Sequence, residues 1–128
     1  MKTPLAYSKL VEEIDAATKS GKLGNPVRYD EAARLPYLAA CIQEAMRLHP
    51  SVGQALPRFV PRGGREICGV FFPEGMRVGV NAAIAQRDKA VFGDDADEFN
   101  PDRWLGDEAS NRKKYMLHVC SARLSFAT

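Results

Sequence analysis

Apolar residues recur at helical spacing near the start of the chain. Tyr7, Leu10, Val11 and Ile14 follow the i, i+3, i+4, i+7 spacing of one helix face, which predicts an amphipathic helix. Thr3 and Pro4 are typical of its N-cap and first helical residue, and Gly21 of its end. After a loop, Asp30 is expected to cap a short helix that runs through Leu35.

A second apolar stripe predicts a longer helix from Pro36 to Leu48, which His49-Pro50 terminates. Its expected buried face consists of Leu38, Cys41, Ile42, Ala45 and Leu48. Glu44 and Arg47 lie three positions apart beside that stripe, so they can interact. Taken alone, they are also compatible with an ordinary exposed helical ion pair.

From residue 52 onwards, short apolar runs alternate with proline and glycine, a pattern that favours strands and turns. Strands are expected at Arg58–Val60, Glu66–Cys68, Val70–Phe72 and Arg77–Val80. Asn81 is a candidate cap for a short helix through Gln86, and 91–105 is expected to be a long loop. Helices, a small antiparallel sheet and a long meander together indicate the α+β class.

Composition and charge limit the classes of function and the location that the chain can have. The chain has 128 residues and a formal net charge of +2, so no electrostatic argument supports binding to nucleic acid. Its three cysteines, Cys41, Cys68 and Cys120, show no pairing pattern, which fits a reducing compartment. No apolar stretch is long enough for a signal peptide or a membrane span. The sequence therefore predicts an intracellular, cytoplasmic chain without a membrane segment.

Two motifs at a defined distance carry a resemblance to a known family. The stretch Glu44–Pro50 contains Glu-x-x-Arg, and Phe99–Trp104 contains Phe-x-Pro-x-Arg-Trp. In this combination, with Pro57-Arg58 between them, the chain resembles the cytochrome P-450 (haem-thiolate monooxygenase) family. Leu35–Leu38 and Tyr115–His118 are similar to filamentous-fungal members. The resemblance implies a partial cytochrome P-450 fold for the helices, sheet and meander.

The resemblance also assigns roles to individual residues. Glu44, Arg47 and Arg103 would form the structural charge cluster of the family. Arg58 would bind a haem propionate, although by itself it reads as a surface arginine. A segment lining the substrate pocket would include Val52, Gly53, Ala55 and Leu56. Haem, a small apolar substrate and a reductase are the cofactor and partners that the family implies.

The last ten residues depart from the family pattern. After His118 the family has Phe-x-x-Gly-x-Arg-x-Cys-x-Gly, whose cysteine ligates the haem iron, whereas residues 119–128 contain no glycine. Cys120 precedes the nearby arginine instead of following it, so it is a poor candidate ligand, and no metal ligand is predicted. The sequence therefore suggests a partial cytochrome P-450 domain at 1–118 and a divergent tail at 119–128, produced by a frameshift, a retained intron or a mis-called exon.

These features predict a truncated monooxygenase, a C-terminal fragment without the cysteine haem loop, that is inactive as this chain and is not expected to bind haem. The alternative is a non-catalytic interaction or regulatory fragment.

Overall fold

The computed structural model describes the backbone of residues 3–55 and 57–121, and the side chains of these residues up to 116. Its helices are α1 (Pro4–Lys19), α2 (Tyr29–Ala32), α3 (Pro36–Leu48), α4 (Ala82–Ala85), α5 (Lys89–Phe92) and α6 (Ala109–Ser121), with a 3₁₀ turn at Pro101–Trp104. Its strands are β1 (Arg58–Phe59), β2 (Arg65–Ile67), β3 (Val70–Phe72) and β4 (Arg77–Val78). The α+β class is confirmed. Among the described helices, none has the length and apolarity that a bilayer crossing requires.

The two long N-terminal helices begin where the sequence predicted. A proline starts each of them, because its fixed φ suits the first helical position and its missing N–H is not needed there. Thr3 occupies the N-cap position of α1, but its side chain makes no capping hydrogen bond. The prediction that Asp30 caps α2 is wrong, because the helix begins at Tyr29 and Asp30 lies inside its first turn. Instead, the Glu31 carboxylate accepts hydrogen bonds from the backbone N–H groups of Gly24 (2.9 Å) and Arg28 (3.1 Å).

The strands form two separate antiparallel pairs instead of the single small sheet expected. β2 and β3 form a tight hairpin whose turn, Cys68-Gly69, has positive φ at both residues, which shortens the predicted strand at Cys68. β4 pairs with β1 instead of β3. The reason is the turn after β3: Val60 donates to the Met76 carbonyl (2.8 Å) and Gly75 donates to the Val60 carbonyl (3.0 Å), which carries the chain back to β1.

The expected loop at 91–105 contains more regular structure than predicted. It includes the end of α5 and the 3₁₀ turn. Asn100 caps this turn, because its side-chain oxygen accepts a hydrogen bond from the Asp102 N–H (3.2 Å). The predicted cap at Asn81 is confirmed by a hydrogen bond from the Ala83 N–H (2.9 Å). Helix α6 was not predicted, because its sequence is polar and only weakly amphipathic.

The hydrophobic core lies where α3, α5, the 3₁₀ turn and α6 meet. Phe92 is its centre, with the Trp104 ring 6.2 Å and the Tyr115 ring 5.9 Å away between centroids. Both distances are in the range of favourable aromatic pairs. The cluster of buried residues is Ala40, Phe92, Ala96, Trp104 and Met116.

The face that α3 buries differs from the predicted apolar stripe. The buried residues are Tyr37, Ala40, Glu44 and Arg47, whereas Ile42 is 52% exposed and Ala45 is exposed. The prediction of the buried face is therefore wrong. The helix turns Glu44 and Arg47 inward because partners in 86–104 satisfy both side chains, so their burial leaves no unpaired charge.

Candidate functional site

The candidate site is built around the carboxylate of Glu44, which is fully buried. One oxygen accepts hydrogen bonds from Arg47 Nη2 (2.8 Å), the backbone N–H of Asn100 (2.9 Å) and Arg103 Nε (3.0 Å). The other accepts from Arg47 Nε (2.8 Å) and Trp104 Nε1 (2.9 Å). A carboxylate offers about four lone-pair sites, so five donors saturate it.

Arg47 is equally saturated. Two of its N–H groups form the bidentate pair with Glu44, a geometry that a guanidinium fork provides and a lysine cannot. Its remaining N–H groups donate to the backbone carbonyls of Gln86 (2.8 Å), Ala96 (2.5 Å) and Glu98 (3.1 Å). Arg47 therefore links α3 to three backbone positions within 86–98.

Arg103 completes the cluster from the 3₁₀ turn. Its Nε donates to Glu44, and its Nη1 donates to the Phe92 carbonyl and, at 3.2 Å, to the Asp95 carboxylate. Its Nη2 donates to the carboxylate (2.9 Å) and carbonyl (3.0 Å) of Asp95. The structure thus brings Glu44, Arg47 and Arg103 together, and it adds Asp95 as the second acid. Two carboxylates and two guanidinium groups balance the formal charge.

Sequence reasoning did not assign Asn100 or Trp104, which both donate to Glu44, to this network, and it also missed Asp95 and Arg112. Asp95 lies within 91–105, which the sequence predicts only as a long loop. Arg112, on α6, donates to the carbonyls of Val91 (3.3 Å) and Arg103 (3.1 Å). Apart from the Glu108 carboxylate (3.2 Å), these partners are backbone atoms, which leave no signal in the sequence.

The electrostatics show what this cluster does. Burial raises the pKa of Glu44, but the hydrogen bonds from Arg47, Asn100 and Trp104 outweigh it, so that this pKa lies below its ordinary value. The Asn100 amide and the Arg103 guanidinium likewise lower the pKa of Asp95. Because Glu44 stays ionised and all its acceptor sites are used, it is unsuited to proton transfer. The cluster is a clamp that fixes the meander to α3.

These pKa shifts predict an acid-sensitive fold. Above the ordinary carboxyl pKa, about 4, Glu44 and Asp95 are ionised in both the folded and the unfolded chain, and they make their full contribution to the free energy of unfolding. As the pH falls below this value, the unfolded chain binds protons first, so the free energy of unfolding decreases until the lowered folded pKa is passed. Urea denaturation at pH 7, 5 and 3, followed by Trp104 fluorescence, measures this. The variant Asp95→Asn is expected to lose part of the pH dependence, and an identical slope would contradict the assignment.

The other residues singled out from the sequence lie apart from this clamp. Arg58 is exposed, and its guanidinium donates to the adjacent Pro57 carbonyl (3.1 Å). In the proposed pocket segment, Val52, Gly53 and Ala55 are exposed. Leu56 lies outside the described residues. The structure therefore does not assemble a pocket from this segment within the part that it describes.

The described cysteines lie in settings that do not suit a ligand for a haem iron. Cys41 is half-buried on α3, where burial raises the pKa of its thiol and disfavours the thiolate. Cys68 is exposed in the β2–β3 turn. The side chain of Cys120 lies outside the described part of the chain. Within that part no group of three or more metal-binding side chains occurs. Arg58 suits a propionate chemically, but the described residues do not supply a fitting thiolate.

The family model for cytochrome P-450 matches residues 1–118. The chain is 46% identical over 116 residues, 91% of its length, to the cytochrome P-450 monooxygenase ACRTS1 of Alternaria alternata. It is 46% identical over 99 residues, 77% of its length, to the cytochrome P-450 monooxygenase gsfF of Penicillium aethiopicum, and 48% identical over 102 residues, 80% of its length, to the pisatin demethylase of Fusarium vanettenii. It spans 30%, 20% and 19% of these relatives, respectively.

Proposed function

The chain belongs to the cytochrome P-450 family, and from this we propose that it is part of a haem-thiolate monooxygenase that oxidises a small apolar molecule in fungal secondary metabolism. A reductase would supply the electrons. In this family the thiolate-bound haem supplies the chemistry of O–O cleavage. Support comes from the names of the relatives, two monooxygenases and a demethylase, which are 46–48% identical to this chain over the matched residues.

The observation that carries the proposal is the saturated Glu44 carboxylate. Its donors come from α3 and from the meander, more than fifty residues apart in sequence. An unpaired buried charge is costly, so such a network is kept only when all of its members are present. We propose that this clamp supports the proximal side of the haem in the whole protein. Arg58 would hold a propionate, and residues 52–56 would line the substrate pocket.

We propose further that these 128 residues are not catalytic by themselves. Residues 119–128 lack the glycines and the correctly placed cysteine of the ligand loop. Neither Cys41 nor Cys68 is placed to replace that ligand, since one is half-buried on α3 and the other lies in a hairpin turn. An intracellular location is part of this proposal, in keeping with two free thiols in the described part.

A non-catalytic interaction function is the alternative, and one observation favours it. Several large apolar side chains are more than half exposed, among them Ile42 and Met46 on α3 and Phe59 and Phe71 on the strands. Ile42 and Met46 are four positions apart and therefore share one face of α3, and exposed apolar side chains on a shared face are typical of contact with another polypeptide. This alternative needs no iron ligand.

A haem-binding measurement tests the proposal that these residues are not catalytic by themselves. Purified chain is mixed with hemin, reduced under carbon monoxide and examined for a Soret band. We expect no band at the thiolate position, because the chain offers no cysteine in the loop context that the family uses. The matched variant is Cys120→Ser. A thiolate-type band that disappears in this variant would overturn the proposal that the chain is inactive.

A chimera tests the family role independently. Residues 1–118 replace the corresponding part of pisatin demethylase, whose own downstream sequence then supplies the cysteine loop. A thiolate-type band in the chimera is expected, and its absence from a correctly folded chimera would count against the scaffold role.

A further inference from the structure

Helix α1 is attached to the rest of the fold with little apolar burial. Its one buried residue is Ala17, while Leu10, Val11 and Ile14 are half-buried. Leu5 is 80% exposed, and Tyr7 is also exposed. Hydrophobic stabilisation scales with the apolar area removed from water, so polar contacts must contribute much of the docking.

The first of these contacts is made by Glu13. Its two carboxylate oxygens accept hydrogen bonds from the backbone N–H groups of Tyr37 (2.9 Å) and Leu38 (2.9 Å), in the first turn of α3. No side chain of α3 itself caps this helix, whose N-cap position is taken by Leu35. Glu13 therefore supplies from another helix the acceptor that the helix start needs, and its negative charge suits the positive end of the helix dipole.

The second contact lies one turn earlier on the same face of α1. Lys9 Nζ is 2.8 Å from an Asp102 carboxylate oxygen, and it lies 5.8 Å from the centroid of the Tyr37 ring. Tyr37 is only 6% exposed, and its hydroxyl has no hydrogen-bond partner among the described residues. An unpaired buried hydroxyl carries a free-energy cost, which water would remove if α1 moved away.

A small cavity separates α1 from a thiol on α3. It has a volume of about 170 Å³, and Ala6, Tyr7, Leu10 and Cys41 line it together with Phe99. Cys41 therefore faces α1. None of the hydrogen bonds that hold Glu44 to Arg47, Asn100, Arg103 and Trp104 involves α1.

We propose that α1 is a releasable arm: Glu13 and Lys9 clasp it over the first half of α3, and its release uncovers Cys41 while the Glu44 clamp stays intact. Two packed states follow, one with the arm docked and one with the thiol accessible to an electrophile. This conformational device does not depend on haem or on the proposed function. Its test therefore gives the same information whether or not the chain binds a cofactor.

The rate at which a maleimide labels Cys41 tests the device, in the full chain carrying Cys68→Ser and Cys120→Ser. Glu13→Gln removes the charge and leaves at most one good acceptor for two N–H groups, so we expect labelling about tenfold faster. The matched control is Glu12→Gln, which changes the adjacent, exposed glutamate of the same helix and should leave the rate unchanged. Trp104 fluorescence is recorded in parallel and should not change in either variant.

The proposal fails if Glu13→Gln does not accelerate labelling. It also fails if the Trp104 signal is lost together with protection of the thiol, because the arm would then open only by general unfolding. If Glu13→Gln does not fold, the labelling rate of Cys41 in Lys9→Met is measured instead, and an unchanged rate contradicts the proposal. The expected acceleration is about twofold to fivefold, since a half-exposed ion pair contributes little.

Discussion

Replacement of Glu44 by glutamine is expected to lower the free energy of unfolding by about 3–5 kcal/mol, the effect of removing one partner from a buried ion pair. Glutamine has nearly the same shape, but it carries no charge and has one acceptor oxygen in place of two. Arg47 and Arg103 then remain buried without the acid between them, and the five donors that meet the carboxylate cannot all be accommodated. Since a domain is stabilised by about 5–15 kcal/mol in total, this loss brings the chain close to unfolding.

Urea denaturation followed by the fluorescence of Trp104 measures this change, because the indole N–H donates directly to Glu44. Glu66→Gln is the matched control: it makes the same chemical change at an exposed position in β2 and should alter stability by less than about 0.5 kcal/mol. Glu44→Asp retains the charge on a shorter side chain, so an intermediate loss is expected. A loss below about 1 kcal/mol for Glu44→Gln would show that the clamp does not hold the fold together.

The sequence was most informative where a short-range rule determines the structure. Proline and glycine set the ends of α1 and α3, and Asn81 caps α4, as predicted. The residues named from the two motifs, Glu44, Arg47 and Arg103, are in direct contact in the structure. This contact could be predicted only from the family resemblance. Helical periodicity alone is equally compatible with an exposed Glu44–Arg47 ion pair. Their role in a haem enzyme stays a prediction.

The buried face of α3 shows why apolar periodicity failed. The rule that apolar stripes face the core assumes that charged side chains prefer water. Here the partners that satisfy Glu44 and Arg47 lie in 86–104, and six of the contacts to the side chains of these two residues and Arg103 are made by backbone carbonyls or N–H groups. Backbone atoms are identical in every sequence. A burial preference that depends on them is therefore invisible until the fold is known.

A related limit applies to the strands. Short runs predicted the four strands to within two residues, but the choice between one sheet and two depended on the route of the Pro73–Gly75 turn. That route is fixed by the hydrogen bonds between Val60 and the residues after β3, which are long-range contacts.

Replacement of Arg47 by lysine is the second change from which a large effect is expected, again about 3–5 kcal/mol, although it retains the charge. A lysine ammonium has three donors and no planar fork. It cannot form the bidentate pair with Glu44 and also reach the carbonyls of Gln86, Ala96 and Glu98.

Arg103→Lys should cost less than Arg47→Lys, because one of the acids it would leave unpaired, Asp95, has a side chain that is 38% exposed and can be hydrated. The order of the two losses is therefore as diagnostic as their size. Urea denaturation of both variants measures it, with the exposed Arg62→Lys as the control for the chemical change. Equal and small losses for all three would mean that charge, and not the fork geometry of Arg47, holds the meander on α3. A larger loss for Arg103→Lys than for Arg47→Lys would place the centre of the clamp at the 3₁₀ turn.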